Sequence, residues 1–277
     1  MKDAPSRITV HVTKQGRTIC RDCPCCGYKN ALAVTVKDGR ELSHCFVGCS
    51  QADLMAALRG HGPAIQSERI APVKSTASLV AYIEKLWSES LPTIGTPVEA
   101  YLRWRGIEIL PSSLRFLPRH IHKPTGQYFP VMLAAAMDWA GKIYALHRTY
   151  LLPDGKGKAP VTPAKMTLGA VGGLSCHLAP AGEELAISEG IETGLSVQQA
   201  TRIPTWAALS AGGIRNLILP PLPLASSVII AADADPVGLR AAHDAARLWR
   251  EQGRMARIAI PPSGKDFNDI LIQGAAA

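Results

Sequence analysis

From residue 183 to the end of the chain, short continuous apolar runs alternate with stretches of helical period. "ELAIS" (184–188), "TWAAL" (205–209), "SVIIAAD" (227–233) and "ARIAI" (256–260) predict strands. "IETGLSVQQA" (191–200), "PVGLRAAHDAARLWREQG" (236–253) and "DFNDILIQ" (266–273) predict helices between and after them. Apolar strands that do not alternate with polar residues, separated by helices, predict a parallel sheet covered on both faces. The C-terminal third therefore reads as α/β.

The pattern changes upstream. "SLVAYIEKLWSES" (78–90) has apolar residues at helical spacing, and "TPVEAYLRWRG" (96–106) starts a helix with Pro97 in its first turn and stops it at Gly106. "YFPVMLAAAM" and "KIYALHRTYL" straddle "DWAG" and predict a hairpin. "HGPAIQSERIAPVKSTAS" has no apolar period, is rich in Pro, Ser and Gly, and reads as a linker. Nearer the N-terminus, "LAVTV" and "ELSHC" flank "KDGR", a hairpin with Asp38-Gly39 at its turn. A short helix follows, with Ser50 as cap, Asp53 as capping-box acid and Gly60 as stop. The predicted organisation is multi-domain α+β: residues 1–60, a linker over 61–77, a mixed α+β segment over 78–182, and an α/β domain over 183–277.

Composition sharpens this reading. Of 277 residues, 47% are hydrophobic and 19% charged, which describes a folded chain long enough for two or three domains. The net charge of +8 points to polyanionic partners, nucleic acid first, with plain solubility as the bland alternative. "MKDAPSRITV" has no apolar core of a secretory signal, and no run approaches the roughly 18 apolar residues of a membrane helix. The expectation is a cytoplasmic protein without membrane contact, in which thiols stay reduced. Five of the seven cysteines lie between Cys20 and Cys45, with Cys49 just beyond, a clustering that predicts metal rather than disulfides. Cys23 and Cys26 in "CPCCG" and Cys45 and Cys49 in "CFVGC" are two close pairs joined by a hairpin. That is a zinc-ribbon layout in which four thiolates close one tetrahedral zinc site. Cys20, Cys25 and His44 stand near enough in sequence to replace a favoured ligand. Such a ribbon binds nucleic acid or acts as a structural clip.

The acidic residues carry the chemistry. In "VIIAADADPVGLRAA" (228–242), Asp233 and Asp235 follow an apolar strand with spacing that sends both side chains one way. The C-terminal edge of a parallel sheet is where such folds bind ligands. Asp235 before Pro236 is well placed as a helix cap, which leaves Asp233 unexplained. "LAISEG" delivers Glu189 to the same edge, and "PPSGKDFND" delivers Asp266 and Asp269. Converging carboxylates raise one another's pKa unless a cation neutralises them, and hard oxygen ligands with open positions suit Mg²⁺ or Mn²⁺. The alternative is a set of separate caps and surface ion pairs.

"ELAISEG…VIIAADADPVGLRAA…SGKDFND" resembles a Toprim domain, the metal-binding fold of DnaG-type primases, topoisomerases and certain nucleases. The resemblance implies metal-binding roles for Glu189, for Asp233 and Asp235 as the DxD pair, and for Asp266 as the first acid of a primase "GxDPD" stretch. The second acid of that stretch falls on Asn268, for which Asp269 is the substitute. "EAYLRWRGI", "YFPVMLAAAMDWAGKIYALHRTYL" and "PAKMTLGAVGG" are similar in order and spacing to the N-terminal half of the DnaG polymerase core. The family's Arg-Gly falls on Arg105-Gly106, its hairpin arginine on Arg148, and its lysine before the Toprim domain on Lys165.

Residue chemistry agrees, because Arg105, Arg119, Lys123, Lys142, Arg148, Lys156, Lys158 and Lys165 supply cations for template and triphosphate. A solvated basic face would use the same residues. The resemblance implies a DNA-templated RNA primase, with Mg²⁺ or Mn²⁺ at the acids and ribonucleoside triphosphates as substrates. Arg148 and Lys165 then hold triphosphate or template, and the zinc ribbon engages single-stranded DNA. Trp104 and Trp139 are candidate stacking residues, although core packing is the favoured role for both. No G-x-x-x-x-G-K-[ST] loop is present and the chain ends soon after the Toprim domain. A separate helicase partner is therefore expected, as in the compact primase-like proteins of phages, plasmids and integrative elements. The rivals are a Toprim nuclease and a single-strand-binding accessory protein; a topoisomerase needs a tyrosine nucleophile in a further large domain.

Overall fold

A computed structural model describes residues 18–21, 23–25, 32–37, 40–45, 51–59 and 76–275. The chain divides into two compact units, 1–75 and 76–277. In the first, β1 (Thr18–Arg21), β2 (Leu32–Lys37) and β3 (Arg40–Cys45) form an antiparallel sheet in the order β1-β2-β3. Lys37 lies opposite Arg40, the register that a two-residue Asp38-Gly39 turn requires, although that turn lies outside the described residues. The strand β1 has no counterpart in the predicted elements. Helix α1 (Gln51–Arg59) follows between the expected cap and stop, and Leu54 packs with Leu32, Val34, Cys23 and Cys45 in one small core.

The second unit opens with α2 (Thr76–Glu89) and α3 (Pro97–Trp104). Thr96 accepts a hydrogen bond from the Val98 amide at 3.2 Å, and Gly106 ends the segment at φ +73°, so the sequence signals at both ends are realised. Four antiparallel strands follow in sequence order: β4 (Leu114–His122), β5 (Gln127–Met137), β6 (Ile143–Tyr150) and β7 (Lys165–Leu168). The β5–β6 hairpin is the expected one. Strand β4 escapes sequence reading because Pro118 interrupts it. A proline cannot donate to a ladder, and the register shifts there, between Leu117 and His120.

Alternation along β6 divides its side chains. Leu146 and Tyr150 pack with Ile83 and Leu86 of α2, which places Arg148 on that face. His147 and Thr149 face the other way, and Lys165 is the cross-strand partner of Thr149.

The remaining strands are β8 (Cys176–His177), β9 (Glu184–Ser188), β10 (Thr205–Ala207), β11 (Ser227–Ala231) and β12 (Met255–Ala259), in the order β12-β11-β9-β10-β8. Four of them run parallel. The edge strand β8 is antiparallel to β10, so the expected wholly parallel sheet is in fact mixed. Strand β8 comes from the stretch ahead of residue 183, and its neighbour Ser175 also bridges to Met137 of β5. Helices α4 (Ile191–Thr201) and α7 (Phe267–Ala275) pack together, while α5 (Ala211–Asn216) and α6 (Pro236–Glu251) pack against one another.

Four buried alanines on α6 (Ala241, Ala242, Ala245 and Ala246) let it approach the sheet closely, with Trp249 filling the far end. From α4, Ile191 and Leu195 join Tyr101, Leu102, Met132 and Ala134, so the two sheets of this unit share one core. No helix among the described residues is long and apolar enough to cross a membrane.

The loop between β6 and β7 is pinned to α3 by Gly155. Its φ is +71°, and a Cβ there would stand 2.5 Å from the Pro97 carbonyl oxygen and 2.6 Å from the Ala100 Cβ. Gly155→Ala is expected to cost about 2 kcal/mol or more, seen as a drop of several degrees in a thermal melt. An unchanged melt would show that the loop yields and does not fix its own lysines.

Candidate metal and phosphate site

Strands β9 and β11 end level, with Ser188 opposite Ala231. Glu189 therefore emerges at the same edge as the Asp233 turn. The Asp235 amide donates to the Asp233 carbonyl at 2.8 Å, and the Ala234 amide donates to the Lys265 carbonyl at 2.8 Å, which ties in the loop carrying Asp266. Asp235 is the expected cap of α6, its Oδ1 accepting from the Val237 and Gly238 amides at 2.8 Å each. Gly238 is required by closeness, since a Cβ would lie 2.8 Å from the Asp233 carbonyl oxygen. Asp266 works similarly for α7, its Oδ1 accepting from the Asn268 and Asp269 amides at 2.8 and 3.0 Å. In both caps the bonds are made through Oδ1.

Asn268 and Asp269, the two residues that shared one predicted position, behave differently. Asn268 is fully buried and donates through Nδ2 to the Arg105 carbonyl and to Ser196 Oγ, both at 2.9 Å. It is a tether between elements. The Asp269 carboxylate accepts from the Lys265 amide at 2.8 Å and closes its own loop.

The acids feel one another. Burial, then Asp266 and Asp235, push Asp233 up to about 6. Burial, then Asp233 and Asp235, push Glu189 up to about 7. Asp233 Oδ1 is buried without a hydrogen-bond partner. These are the marks of carboxylates crowded together and partly withdrawn from water. Among the described residues no group of three or more acidic, histidine or cysteine side chains is close enough to hold a metal ion by itself.

Cations line the other half of the site. Lys165 and Lys158 both donate to Glu192 at 3.2 Å, and the Tyr101 hydroxyl donates to Glu192 Oε1 at 2.7 Å. Burial works to raise the Glu192 pKa, but the two lysines and the tyrosine outweigh it and hold the group well below the usual carboxylate range. Burial depresses Lys165, yet the Glu192 charge wins and its pKa is raised; for Lys158 burial wins and the pKa is lowered. The Arg105 charge reaches Tyr101, Lys158 and Lys165, and its Nε is buried without a partner. Lys165 in turn acts on both Glu189 and Asp233, so cationic and acidic halves are adjacent.

Arg148 does not join them. It is buried on the α2 face of its sheet, where it donates to the Thr167 carbonyl at 3.0 Å and meets His120 Nε2 at 3.3 Å. Burial, then the Arg148 charge, holds His120 at about 4 and therefore neutral beside it. Lys142 is exposed at the hairpin tip, 5.2 Å from the centre of the Tyr144 ring. Trp104 and Trp139 are 53% and 47% exposed, which corrects the expectation of core packing: each sits at an element end with too few neighbours to enclose an indole.

Sequence reasoning missed Glu192 and Tyr101. An acid in the first turn of a helix is ordinary, and only its burial marks this one out. Of the predicted zinc ligands, Cys23 and Cys45 are both buried in one small core, while Cys26 and Cys49 lie outside the described residues. Of the alternatives, Cys25 and His44 are exposed, and the Cys20 backbone pairs with Ala33.

Residues 184–277 match the Toprim domain family, and residues 77–178 match a domain of unknown function, DUF7146. The Toprim part of the sequence resemblance is thus met over the whole second sheet from β9 onward. No curated protein matches the chain in sequence. Among solved structures it is similar to a DNA primase domain from Pseudomonas aeruginosa, at 15% identity and TM-score 0.47, covering 70% of this chain and 74% of that one. The zinc-binding and RNA polymerase domains of the Aquifex aeolicus primase give 12% identity and TM-score 0.48, covering 96% and 77%. The primase fragment of the bacteriophage T7 primase-helicase gives 15% and 0.42, covering 92% and 96%. Likenesses this distant carry no argument about activity.

The crowding has a measurable sign. The folded-state pKa of Asp233 lies above its ordinary 3.8, so its ionisation costs stability as pH rises from about 4 to about 6, and the cost persists above that. Asp233→Asn is expected to raise the melting temperature of divalent-free protein by about 2–4 °C at pH 8 and hardly at all at pH 4. An equal shift at both pH values would show that the carboxylates do not crowd.

Proposed function

We propose that the chain is a DNA-templated RNA primase, a metal-dependent nucleotidyltransferase acting on ribonucleoside triphosphates. The observation that carries this reading is the adjacency of two opposite charge clusters at one sheet edge: Glu189, Asp233, Asp235 and Asp266 beside Lys158, Lys165 and Arg105. A nuclease needs the first cluster. A polymerase also has to hold a triphosphate, for which the second is suited.

Mg²⁺ or Mn²⁺ would be held by Asp233 and Glu189, with Oδ2 of Asp235 and Asp266 within the same edge, and when bound supplies charge neutralisation at the phosphates and polarisation of the attacking hydroxyl. Lys165, Lys158 and Arg105 orient the triphosphate against that edge. Asn268 and the Asp235 cap keep the acid-bearing loops from spreading. Arg148, on the far side of its sheet, braces the β6–β7 ladder and has no part in the triphosphate contacts.

A zinc ion on Cys23, Cys26, Cys45 and Cys49 completes the N-terminal unit in this reading, supported by the shared burial of Cys23 and Cys45. That unit takes single-stranded template, and a separate helicase delivers it. Removing the zinc ligand Cys45 (Cys45→Ser) is expected to release one equivalent of zinc and to weaken single-strand binding, measured by metal analysis and fluorescence anisotropy. A wild-type protein free of zinc after preparation in zinc-supplemented buffer would remove the ribbon assignment.

The deciding assay combines single-stranded template, labelled ribonucleotides and Mg²⁺ or Mn²⁺. Wild type is expected to yield short oligoribonucleotides, and Asp233→Ala to lose roughly a hundredfold or more of that activity. Template cleavage without ribonucleotides would favour the nuclease. Binding without either product would favour the accessory role.

A further inference from the structure

We propose that Glu192 is a positioning residue: a single buried carboxylate, anchored by Tyr101, holds Lys158 and Lys165 side by side so that their remaining N–H groups face the acidic edge as a paired grip for a triphosphate. The proposal deepens the primase reading and rests on it for the identity of the ligand.

The geometry places the carboxylate beneath the lysines. The side chain of Glu192 is only 6% exposed, against 33% and 38% for those of Lys158 and Lys165. Oε1 accepts from Tyr101 and from Lys158, and Oε2 accepts from Lys165. A carboxylate that occupied the phosphate seat would be at the mouth, with the lysines behind it. Here the order is reversed. Each ammonium carries three donors, so a contact downward to Glu192 leaves donors to point outward.

The two lysines also need such a partner. They come from different parts of one connection: Lys158 from the loop that Gly155 pins to α3, and Lys165 from the start of β7. The backbone seats both residues against the end of β6, Lys158 bridging to Leu151 and Lys165 pairing with Thr149. Two long, flexible ammonium side chains brought together still repel, and backbone pairing does not set where their ends lie. One shared carboxylate offsets that repulsion and sets the spacing through two charge-assisted hydrogen bonds. Tyr101, fully buried on α3, fixes the carboxylate from the opposite side. With both oxygens already engaged by cations, Glu192 has its charge offset within its own cluster, which separates its role from that of Glu189 three residues earlier.

The test uses the full chain with inorganic tripolyphosphate as probe, binding measured by calorimetry without template or divalent ion, and nucleotide kinetics in parallel. Glu192→Gln keeps the shape but presents an amide donor to an ammonium. It is expected to weaken tripolyphosphate binding about tenfold and to raise the nucleotide KM by a similar factor, with kcat within about twofold. Tyr101→Phe leaves the carboxylate in place but loosens it, with an expected loss of about threefold, and it decides the matter if Glu192→Gln fails to fold. Unchanged or tighter tripolyphosphate binding by the variants would overturn the proposal, because a carboxylate that merely repels the ligand gives that result. So would a fall in kcat at constant KM. Wild type that grips tripolyphosphate in a Glu192-dependent way but makes no primers would overturn the primase reading and leave the grip standing. Primer synthesis by Glu192→Gln at the wild-type KM would do the reverse.

Discussion

Like charges at the end of a sheet repel, and the fold of residues 76–275 is organised around holding them there. Glu189, Asp233, Asp235 and Asp266 approach one edge closely enough for burial and mutual repulsion to lift two of them far above the ordinary carboxylate range. Nothing local favours that. It persists because β9 and β11 are locked in register to their last residues, and because the turn after β11 is bonded to the loop before α7. Two of the acids are also held in place as helix caps.

The counter-charge comes from a different part of the chain, and that dictates how the two sheets are joined. Lys158 lies within the β6–β7 connection and Lys165 opens β7, yet both bond Glu192 of α4, the helix that follows the acid-bearing strand β9. The Arg105 charge at the end of α3 reaches both lysines. They can do so only because α3, β5 and α4 bury Tyr101, Met132 and Leu195 in one core. A rigid apolar contact thus sets the distance between two charged clusters, which neither cluster could fix alone in water, where charge interactions are weak and adjustable.

Much of this architecture was legible in the sequence and some was not, for identifiable reasons. The β9-to-α7 alternation, the cap on α6 and the acids at strand tips follow from residue order alone. Strand β4 hides behind Pro118, and β8 is only two residues long. Arg148 and Lys165 are similar as candidate ligands in sequence but lie on opposite faces of one sheet, because the register of β6 against β7 puts Lys165 level with Thr149 and leaves Arg148 one residue out of step. That parity depends on a 14-residue connection whose path no periodicity reveals. Glu192 was invisible for a related reason: its identity is ordinary, and its importance lies wholly in what three distant segments bring to it. Among the cysteines, burial separates Cys23 and Cys45 from Cys25, a distinction that spacing alone does not make.

Asn268 deserves a last thought as a charge-free joint. Its amide ties α7 to the end of α3 and to α4 by bonds that are indifferent to pH and to ions. A carboxylate in its place would have no N–H to give to the Arg105 carbonyl and would repel it. With the amide, the cradle is assembled when the chain folds. The joint therefore holds the loop geometry at every pH and ionic strength at which the chain is folded.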